Sequence, residues 1–205
     1  MTIDGKIATR SGESNISSNA DLQRLHRIRS RVDAVMIGVG TQLRDDPRLT
    51  VRRVKGKSPI RIVVDSLART PPKSKILSAT EGETIIAVSK RAPAYRTRRL
   101  EQEGAKIIRC GNKQVDLPKL LQTLKTWGIR SLLLEGGGTL NWSMLNAKLV
   151  DELWVTLGPF VVGGEDATTL AEGTGADKMS HAVKLSLQKV KRNGSELMLN
   201  YEVRS

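Results

Sequence analysis

The stretch SLLLEGGGTL, residues 131–140, decides how the rest of the chain is interpreted. Its apolar run has no polar alternation, which is typical of a central strand buried on both faces. The three glycines after Glu135 allow the backbone to approach a ligand closely. A helical pattern follows, and the free N–H groups and dipole of its first turn favour a phosphate group. The alternative is a tight strand-to-helix turn that binds nothing.

The glycines do not match the usual dinucleotide-binding fingerprint. Asn141 stands where the third glycine of that fingerprint should be. A Rossmann domain also carries its fingerprint after the first strand, whereas this stretch lies far along the chain. The sequence therefore predicts a phosphate site in a different α/β fold.

Apolar runs alternate with helical patterns outward from this stretch. Strands are predicted at 33–39, 59–65, 84–88, 105–109 and 131–134. Helices are predicted from the capping residues 17–19 to 32, from 40 to a bend at Pro47, and at 94–103, 117–127 and 137–147. Leu49 to Arg52 is predicted to be extended. In the first helix, Arg29 lies off the apolar stripe, as either a solvated residue or an anion contact.

The last quarter of the chain changes to strand patterns. Strands are predicted at 150–157, 160–162, 183–189 and 197–203, with Asn193-Gly194 as a hairpin turn. Alternating strands and helices followed by a hairpin predict an α/β fold. Its central sheet is mostly parallel and flanked by helices, with an antiparallel C-terminal hairpin. A single domain covering residues 1–205 is expected.

The net charge of +13 favours anionic ligands. Nucleic acid is one such partner, but the positive residues are scattered along the chain. Three Trp, two Tyr and one Phe are too few for a base-stacking platform. A basic enzyme with phosphate-bearing ligands explains the same charge, so we expect neither a nucleic-acid partner nor a membrane partner.

Cysteine and histidine usage limits the other classes of site. Cys110 is the single cysteine, which excludes an internal disulfide and fits a reducing cytoplasm. The two histidines, His26 and His181, lie far apart and are expected on the surface or on helix faces, so no metal site is expected. Residues 1–6 lack the apolar core of a signal peptide, and a cytoplasmic protein is therefore expected.

Polar residues follow the predicted strands, where the ligand crevice of such a sheet lies. They are Gly40, Thr41, Asp45, Ser66, Arg69, Ser89, Lys90, Arg91, residues 135–139, Gly163 and Gly164. Together they suit a long, doubly phosphorylated ligand. No catalytic triad, cysteine nucleophile, P-loop or kinase signature is present in the sequence.

Four motifs in order resemble one enzyme family. They are DGKIA at 4–8, VGT at 39–41 with DDPRLTV at 45–51, IVVDS at 62–66, and LEGGGTLNW at 134–142. These motifs resemble the riboflavin-biosynthesis reductases, which share the dihydrofolate reductase-like fold. The resemblance is strongest to the stand-alone archaeal type, the 2,5-diamino-6-ribosylamino-4(3H)-pyrimidinone 5′-phosphate reductases. The zinc-ligand motifs of the fused bacterial deaminase are absent from this sequence.

This resemblance implies reduction of a ribosylamino group to a ribitylamino group by NADPH, with NADH as the other possible cofactor. It also implies a phosphorylated pyrimidine substrate and a homodimer. The implied substrate positions are Ser14, Arg29, Leu49, Arg52 and Glu135. The implied cofactor positions are Thr41, Asp45, Ser66, Gly137, Gly138, Thr139, Leu140, Asn141, Trp142 and Ser143.

The chemistry of these residues agrees in part with the implied roles. Arg29 and Arg52 suit the substrate's 5′-phosphate. Glu135 suits hydrogen bonds from the pyrimidine or ribose, and Glu135 or Asp45 is a candidate catalytic proton donor. Ser66, Arg69, Ser89 and Lys90 are expected near an adenosine 2′-phosphate, which the charge of the two cations would favour.

Two other functions remain open at this point, as does the start of the chain. One is a folate or pterin reductase on the same fold, and the other is a basic nucleic-acid-binding protein that keeps an inactive enzyme fold. Members of the resembled family open with a strand that leads into the DGK motif, whereas Met1 falls within the last turn of that strand. We therefore expect the natural chain to begin upstream.

Overall fold

The computed structural model describes residues 1–78 and 82–204. The chain divides into two compact units, Met1–Leu22 with Gly138–Ser205, and Gln23–Gly137. The helices are α1 (Asn19–Arg29), α2 (Val39–Asp45), α3 (Ala94–Gln102), α4 (Leu117–Thr126) and α5 (Gly138–Asn146), with a short 3₁₀ helix at Met179–His181. The strands are β1 (Ala34–Gly38), β2 (Ile60–Val64), β3 (Thr84–Val88), β4 (Lys106–Arg109), β5 (Leu132–Leu134), β6 (Glu152–Leu157), β7 (Lys184–Asn193) and β8 (Glu196–Arg204). The prediction of a single domain stays a prediction.

The unit 23–137 contains a parallel sheet of five strands in the order β4-β3-β2-β1-β5. Its inner strands are predominantly apolar, although β2 contains the buried Arg61, and every residue of β3 is buried. Such runs form strands because both faces of the sheet are covered. The main core cluster of this unit includes Val35, Ile37, Val63, Ile86 and Val88. The predicted parallel central sheet is confirmed.

The position of β5 differs from the prediction. In the part of the chain that the structure describes, β5 pairs with β1 alone and is an edge strand of its sheet. Its three residues are half-buried rather than buried on both faces. A run this short shows no periodicity, so sequence cannot separate a central strand from an edge strand here.

Asp33 holds the beginning of β5 beside β1. Its Oδ2 atom accepts hydrogen bonds from the backbone N–H of Arg130 at 2.8 Å and from the backbone N–H and hydroxyl of Ser131 at 2.8 and 2.9 Å. The two backbone N–H groups, helped by the hydroxyl, lower the pKa of the Asp33 carboxyl because they favour its charged form. Asp33 therefore couples the pairing of β1 and β5 to pH.

We expect Asp33→Asn to lower the free energy of unfolding at neutral pH by about 1 kcal/mol, the net value of an ordinary exposed hydrogen bond. The folded-state pKa lies below the ordinary value of 3.8, so the stabilisation is complete above that value and is lost as pH falls through the lowered pKa. Urea unfolding of both proteins at neutral pH and in acid measures the difference. The exposed Asp151→Asn is the control. If the difference in the free energy of unfolding between the wild type and Asp33→Asn were the same in acid as at neutral pH, this account would be contradicted.

The other unit contains an antiparallel sheet in the order β6-β8-β7. The predicted C-terminal hairpin is confirmed, and it belongs to this separate three-stranded sheet. The turn lies one residue later than predicted, because Asn193 pairs with Glu196 and leaves Gly194 and Ser195 as the loop. Gly194 has φ +60°, which only glycine adopts freely, and this requirement sets the register.

The strand predicted at 160–162 is wrong, because this segment pairs with the amino-terminal turn instead of a strand. Asp4 accepts hydrogen bonds from the backbone N–H groups of Val162 at 3.2 Å and Gly163 at 2.7 Å. The hydroxyl of Thr2 and these N–H groups lower the pKa of Asp4 to about 2. A carboxylate distant in sequence satisfies the backbone here, and a local strand pattern cannot reveal that.

The first helix is capped as predicted. The Ser18 hydroxyl accepts a hydrogen bond from the backbone N–H of Asp21 at 3.2 Å, which satisfies one of the free donors at the start of α1. Within the described ranges, no helix combines the length and the apolar character that crossing a bilayer requires.

Candidate functional site

Two glycine-containing corners adjoin at the carboxyl ends of β1 and β5. The backbone N–H of Gly38 donates to the carbonyl of Gly136 at 3.2 Å. Gly137 has φ +91°, and a Cβ atom there would lie 3.1 Å from the hydroxyl of Thr41. The pairing of β5 with β1 brings these corners together, so Thr41 and Gly137 are neighbours although they are 96 positions apart in the chain. This close approach needs a residue without a side chain at position 137.

Gly138 has a different neighbour, which lies in its own unit. A Cβ atom at Gly138 would lie 2.6 Å from Cγ of Glu172. The backbone N–H of Glu172 donates to the Gly138 carbonyl at 3.0 Å, and its Oε1 atom accepts from the backbone N–H of Thr169 at 3.1 Å. Packing against Glu172 therefore already requires glycine at position 138.

We expect Gly138→Ala to lower the free energy of unfolding by about 1–3 kcal/mol, the usual cost of overpacking. Glu172→Ala removes the atoms that the new Cβ would meet, so the double variant should lose less than the sum of the two single losses. Chemical denaturation of the four proteins measures this coupling. Strictly additive losses would show that Glu172 is not the cause.

A buried ion pair joins α1 to the residue after β5. Arg29 Nε and Nη2 donate to the two carboxylate oxygens of Glu135, each at 2.5 Å. The side chains are 8% and 11% exposed, so the pair is largely shielded from water. Arg29 Nη1 also donates to the carbonyl of Thr50 at 3.2 Å. The structure therefore brings together two of the residues expected at substrate positions, and each holds the other.

His26 lies one helical turn before Arg29 and is also buried, at 3% exposed. His26 lies on a helix face as expected, but that face is not at the surface. The other histidine, His181, is exposed. The Nδ1 atom of His26 accepts a hydrogen bond from the backbone N–H of Arg52 at 3.1 Å. Burial, followed by the charges of Arg29, Arg52 and Arg53, lowers the pKa of His26 to about 4. The imidazole is therefore neutral at neutral pH.

The segment 49–52 carries positive charge and has an irregular backbone. Leu49 is buried and has φ +54°, so the predicted extended conformation is wrong at that residue. The Arg52 side chain is exposed. Desolvation by neighbouring groups and then the charges of Arg29, Arg48 and Arg53 lower the pKa of Arg52, so several cations lie near this segment. Such a cluster favours an anionic ligand.

A second cationic region lines a pocket of about 570 Å³ after the carboxyl ends of β1 to β4. The lining residues are Val39, Val64, Ser66, Leu67, Arg69, Arg91, Lys113 and Gln114. The lining includes three cations and no carboxylate. Among the described residues, none of these three cations forms an ion pair.

Two of the four residues expected near a 2′-phosphate line this pocket, Ser66 and Arg69. The Ser66 hydroxyl also accepts from the backbone N–H of Val115 at 3.1 Å. Ser89 is buried and donates to the Ser66 carbonyl at 2.8 Å, and Lys90 is exposed outside the lining. The sequence placed Arg91 at this edge of the sheet but missed Lys113, whose position after β4 is the signal that could have found it.

Asp45 lies at the last residue of α2 and is exposed. Desolvation by neighbouring groups raises the pKa of its carboxyl, and the charge of Arg44 opposes this. The described hydrogen bonds include none between Asp45 and Glu135. The two carboxyl groups proposed for proton transfer differ in their surroundings, since Arg29 donates to both oxygens of Glu135 whereas Asp45 is exposed.

The remaining expected site residues belong to the other unit. Leu140 is buried. Asn141 Nδ2 donates to the Leu170 carbonyl at 2.8 Å, and the Ser143 hydroxyl donates to the Thr139 carbonyl at 2.7 Å. Ser14 is exposed. The ligand roles of Ser14 and of residues 139–143, including Trp142, stay predictions. In the described part of the chain, no group of three or more His, Cys, Asp or Glu residues is arranged to hold a metal ion.

Comparison with known proteins finds relatives that share one name and match nearly the whole chain. The chain is 48% identical over its whole length to the 2,5-diamino-6-ribosylamino-4(3H)-pyrimidinone 5′-phosphate reductase of Methanothermobacter thermautotrophicus, 95% of which is covered. It is 39% identical to the reductase of the same name from Archaeoglobus fulgidus, over 94% of this chain and 90% of that protein.

Solved structures agree in fold. RibD of Acinetobacter baumannii superposes with a TM-score of 0.85 at 27% identity, over 99% of this chain and 55% of that one. The chain thus spans about half the length of that RibD protein. The riboflavin biosynthesis reductase Rib7 of Saccharomyces cerevisiae shares the fold, with a TM-score of 0.76 at 21% identity over 100% of this chain and 86% of that one. Residues 1–199 match the family described as the RibD C-terminal domain. The chain therefore belongs to the RibD C-terminal domain family.

Proposed function

We propose that this protein reduces the ribosylamino group of 2,5-diamino-6-ribosylamino-4(3H)-pyrimidinone 5′-phosphate to a ribitylamino group, with NADPH as the reductant. The observation that carries the proposal is the arrangement in residues 23–137. There, the Glu135 carboxylate is held by Arg29, and α1 also holds the cationic segment 49–52. This arrangement offers an acceptor for N–H and O–H groups and a cation for a phosphate. The names of the relatives support the same reaction.

The two arginines expected at the substrate have different roles in this proposal. Arg29 is engaged by Glu135 and by the Thr50 carbonyl, whereas the Arg52 side chain is exposed. Arg52 therefore binds the substrate's 5′-phosphate, and Glu135 accepts hydrogen bonds from the pyrimidine or the ribose. Leu49 is buried and has a positive φ, and it precedes Arg52 in the segment 49–52. In this proposal its backbone shapes the part of the segment that contacts the substrate.

The nicotinamide cofactor, when bound, supplies the hydride for C1′ of the ribosylamino group. Thr41 and the backbone at Gly137 would hold its diphosphate, because the two glycine corners meet there. The pocket cations Arg69, Arg91 and Lys113 favour NADPH over NADH, since only NADPH carries a 2′-phosphate.

Asp45 is the better of the two candidate proton donors. Desolvation by neighbouring groups raises the pKa of its exposed carboxyl and favours the protonated form, whereas both carboxylate oxygens of Glu135 accept hydrogen bonds from Arg29. In this proposal Asp45 donates the proton and Glu135 acts as an acceptor. A homodimer and a cytoplasmic location stay predictions from the family resemblance.

The function is tested by following NADPH oxidation by the wild-type chain with three compounds. These are the diamino ribosylaminopyrimidine phosphate, its deaminated counterpart and dihydrofolate. Turnover of either ribosylaminopyrimidine phosphate without turnover of dihydrofolate is expected. Turnover of dihydrofolate alone would favour a folate-type reductase. Salt-sensitive binding of random duplex without NADPH affinity would favour a nucleic-acid-binding protein.

A further inference from the structure

The last turns of α1 present two buried polar side chains to the segment 49–52. His26 and Arg29 are three residues apart, so they lie on one face of the helix. His26 Nδ1 accepts from the backbone N–H of Arg52 at 3.1 Å, and Arg29 Nη1 donates to the Thr50 carbonyl at 3.2 Å. Both side chains are more than nine-tenths buried. This face of α1 therefore binds the backbone of the segment at two points.

Two kinds of contact hold the shape of this segment: the burial of Leu49 and Val51 in the core, and a few hydrogen bonds from side chains. Within the described residues of its unit, the segment lies outside every helix and strand, so no ladder of backbone hydrogen bonds is seen to support it. Leu49 has φ +54°, a conformation that a branched residue adopts only when its surroundings impose it. The backbone N–H of Val51 donates to the Ser58 hydroxyl at 3.0 Å. The position of the Arg52 backbone consequently depends on a small set of side-chain contacts, and His26 supplies one of them.

The hydrogen bond also determines the form of the imidazole. An N–H group can donate only to an unprotonated ring nitrogen, so Nδ1 carries no proton and the neutral ring carries its proton on Nε2. Nearby positive charge belongs to Arg29, Arg52 and Arg53, and the carboxylate of Glu135 is paired with Arg29. The surroundings of His26 are therefore cationic and favour the neutral acceptor form.

We propose that His26 is a positioning residue for the substrate's phosphate, acting through the backbone of Arg52. The proposal rests on the proposed function, since it takes the 5′-phosphate as the anion that Arg52 binds. The neutral imidazole holds the Arg52 backbone in place. The exposed guanidinium can then bind the phosphate without the backbone of the segment having to become ordered on binding. Preorganisation of this kind lowers the cost of binding.

Three variants of His26 separate this role from simple packing. His26→Asn places its amide oxygen near the position of Nδ1 and can still accept the Arg52 N–H. His26→Gln places its amide near the position of Nε2 instead, and His26→Leu has no acceptor. We expect the Gln and Leu variants to raise KM for the phosphorylated substrate roughly five- to tenfold, which corresponds to one lost hydrogen bond. The Asn variant should stay close to wild type, as should the control His181→Leu at an exposed histidine.

Two further measurements identify the route of the effect. KM for NADPH and KM for the dephosphorylated substrate should hardly change in the His26 variants. In the Arg52→Met background, His26→Gln should add little, because the residue through which it acts is gone. Equal increases in KM for the phosphorylated and dephosphorylated substrates, or full additivity with Arg52→Met, would overturn the proposal. A KM for the phosphorylated substrate that His26→Asn raises as much as His26→Gln does would also overturn the proposal.

The proposal and the proposed function can fail separately. If the wild type turns over the phosphorylated substrate and the His26 variants match it, the positioning role is wrong and the function stands. If the wild type shows no turnover, calorimetry with inorganic phosphate replaces the kinetic assay. Weaker phosphate binding by His26→Gln and Arg52→Met, but not by His26→Asn, would then support the positioning role. No phosphate binding by the wild type would overturn it.

Discussion

Arg29→Leu should lower the free energy of unfolding by about 3–5 kcal/mol and abolish most of the reductase activity. The reason is that removal of the arginine leaves the Glu135 carboxyl without its partner at a site where its side chain is 11% exposed. The loss of the hydrogen bond to the Thr50 carbonyl adds to this cost. Chemical denaturation measures the stability, and NADPH oxidation measures the activity.

Two control variants make this prediction specific. Arg29→Leu/Glu135→Leu should regain much of the stability, because no uncompensated charge remains, but none of the activity, because the acceptor is gone. Lys106→Leu breaks the pair with Glu83 at 2.7 Å, whose side chains are 53% and 54% exposed, and should cost less than about 1 kcal/mol. A double variant no more stable than Arg29→Leu would show that the buried pair itself, and not the orphaned carboxylate, supplies the stability.

The second large effect is expected at the cationic pocket. Arg69→Ala/Arg91→Ala should lower the NADPH-to-NADH ratio of kcat/KM by roughly tenfold to a hundredfold, because hydrogen bonds to charged groups contribute about 1.5–3 kcal/mol. The effect on NADH itself should be small, since NADH has no 2′-phosphate. The NADPH-to-NADH ratios of the wild type and the double variant must be measured at the same salt concentration, because the charges of these exposed side chains are screened by salt.

The chain offers a matched control beside the pocket. Lys90 neighbours Arg91 in sequence and is exposed, but it does not line the pocket. Lys90→Ala changes the net charge as Arg91→Ala does and should leave the NADPH-to-NADH ratio unchanged. An equal shift from Lys90→Ala would point to a general charge effect. No shift in the Arg69 and Arg91 double variant would place the 2′-phosphate elsewhere.

Local sequence predicted most of the regular elements because the causes of those elements are local. The buried apolar run 84–88 predicts β3 to the residue, since a continuous apolar run fits a strand covered on both faces. Asp116 predicts the start of α4, and its carboxylate accepts the backbone N–H of Lys119 at 3.0 Å. The predictions failed where distant residues decide the conformation, as at 160–162, where Asp4 holds the backbone.

The sequence proposes which residues form the candidate site, but it does not show which contacts they make. Glu135 and Arg29 were expected to face a substrate separately, and the structure pairs them across 106 positions of sequence. Gly138 was expected to bind the cofactor, which stays a prediction, and the structure packs it against Glu172. Residue type indicates what a side chain is able to bind, but its partner depends on the folded chain.

By itself, the sequence of this protein determines a basic α/β chain with a parallel sheet, a C-terminal hairpin and the motifs of a reductase family. These properties follow from composition, short-range periodicity and the order of motifs. Only the tertiary structure decided that β5 lies beside β1, which places Glu135 within reach of Arg29, and that the loops after β2, β3 and β4 combine three cations in one pocket. The physical reason is that strand order is set by the packing of the whole sheet, and strand order determines which loops become neighbours.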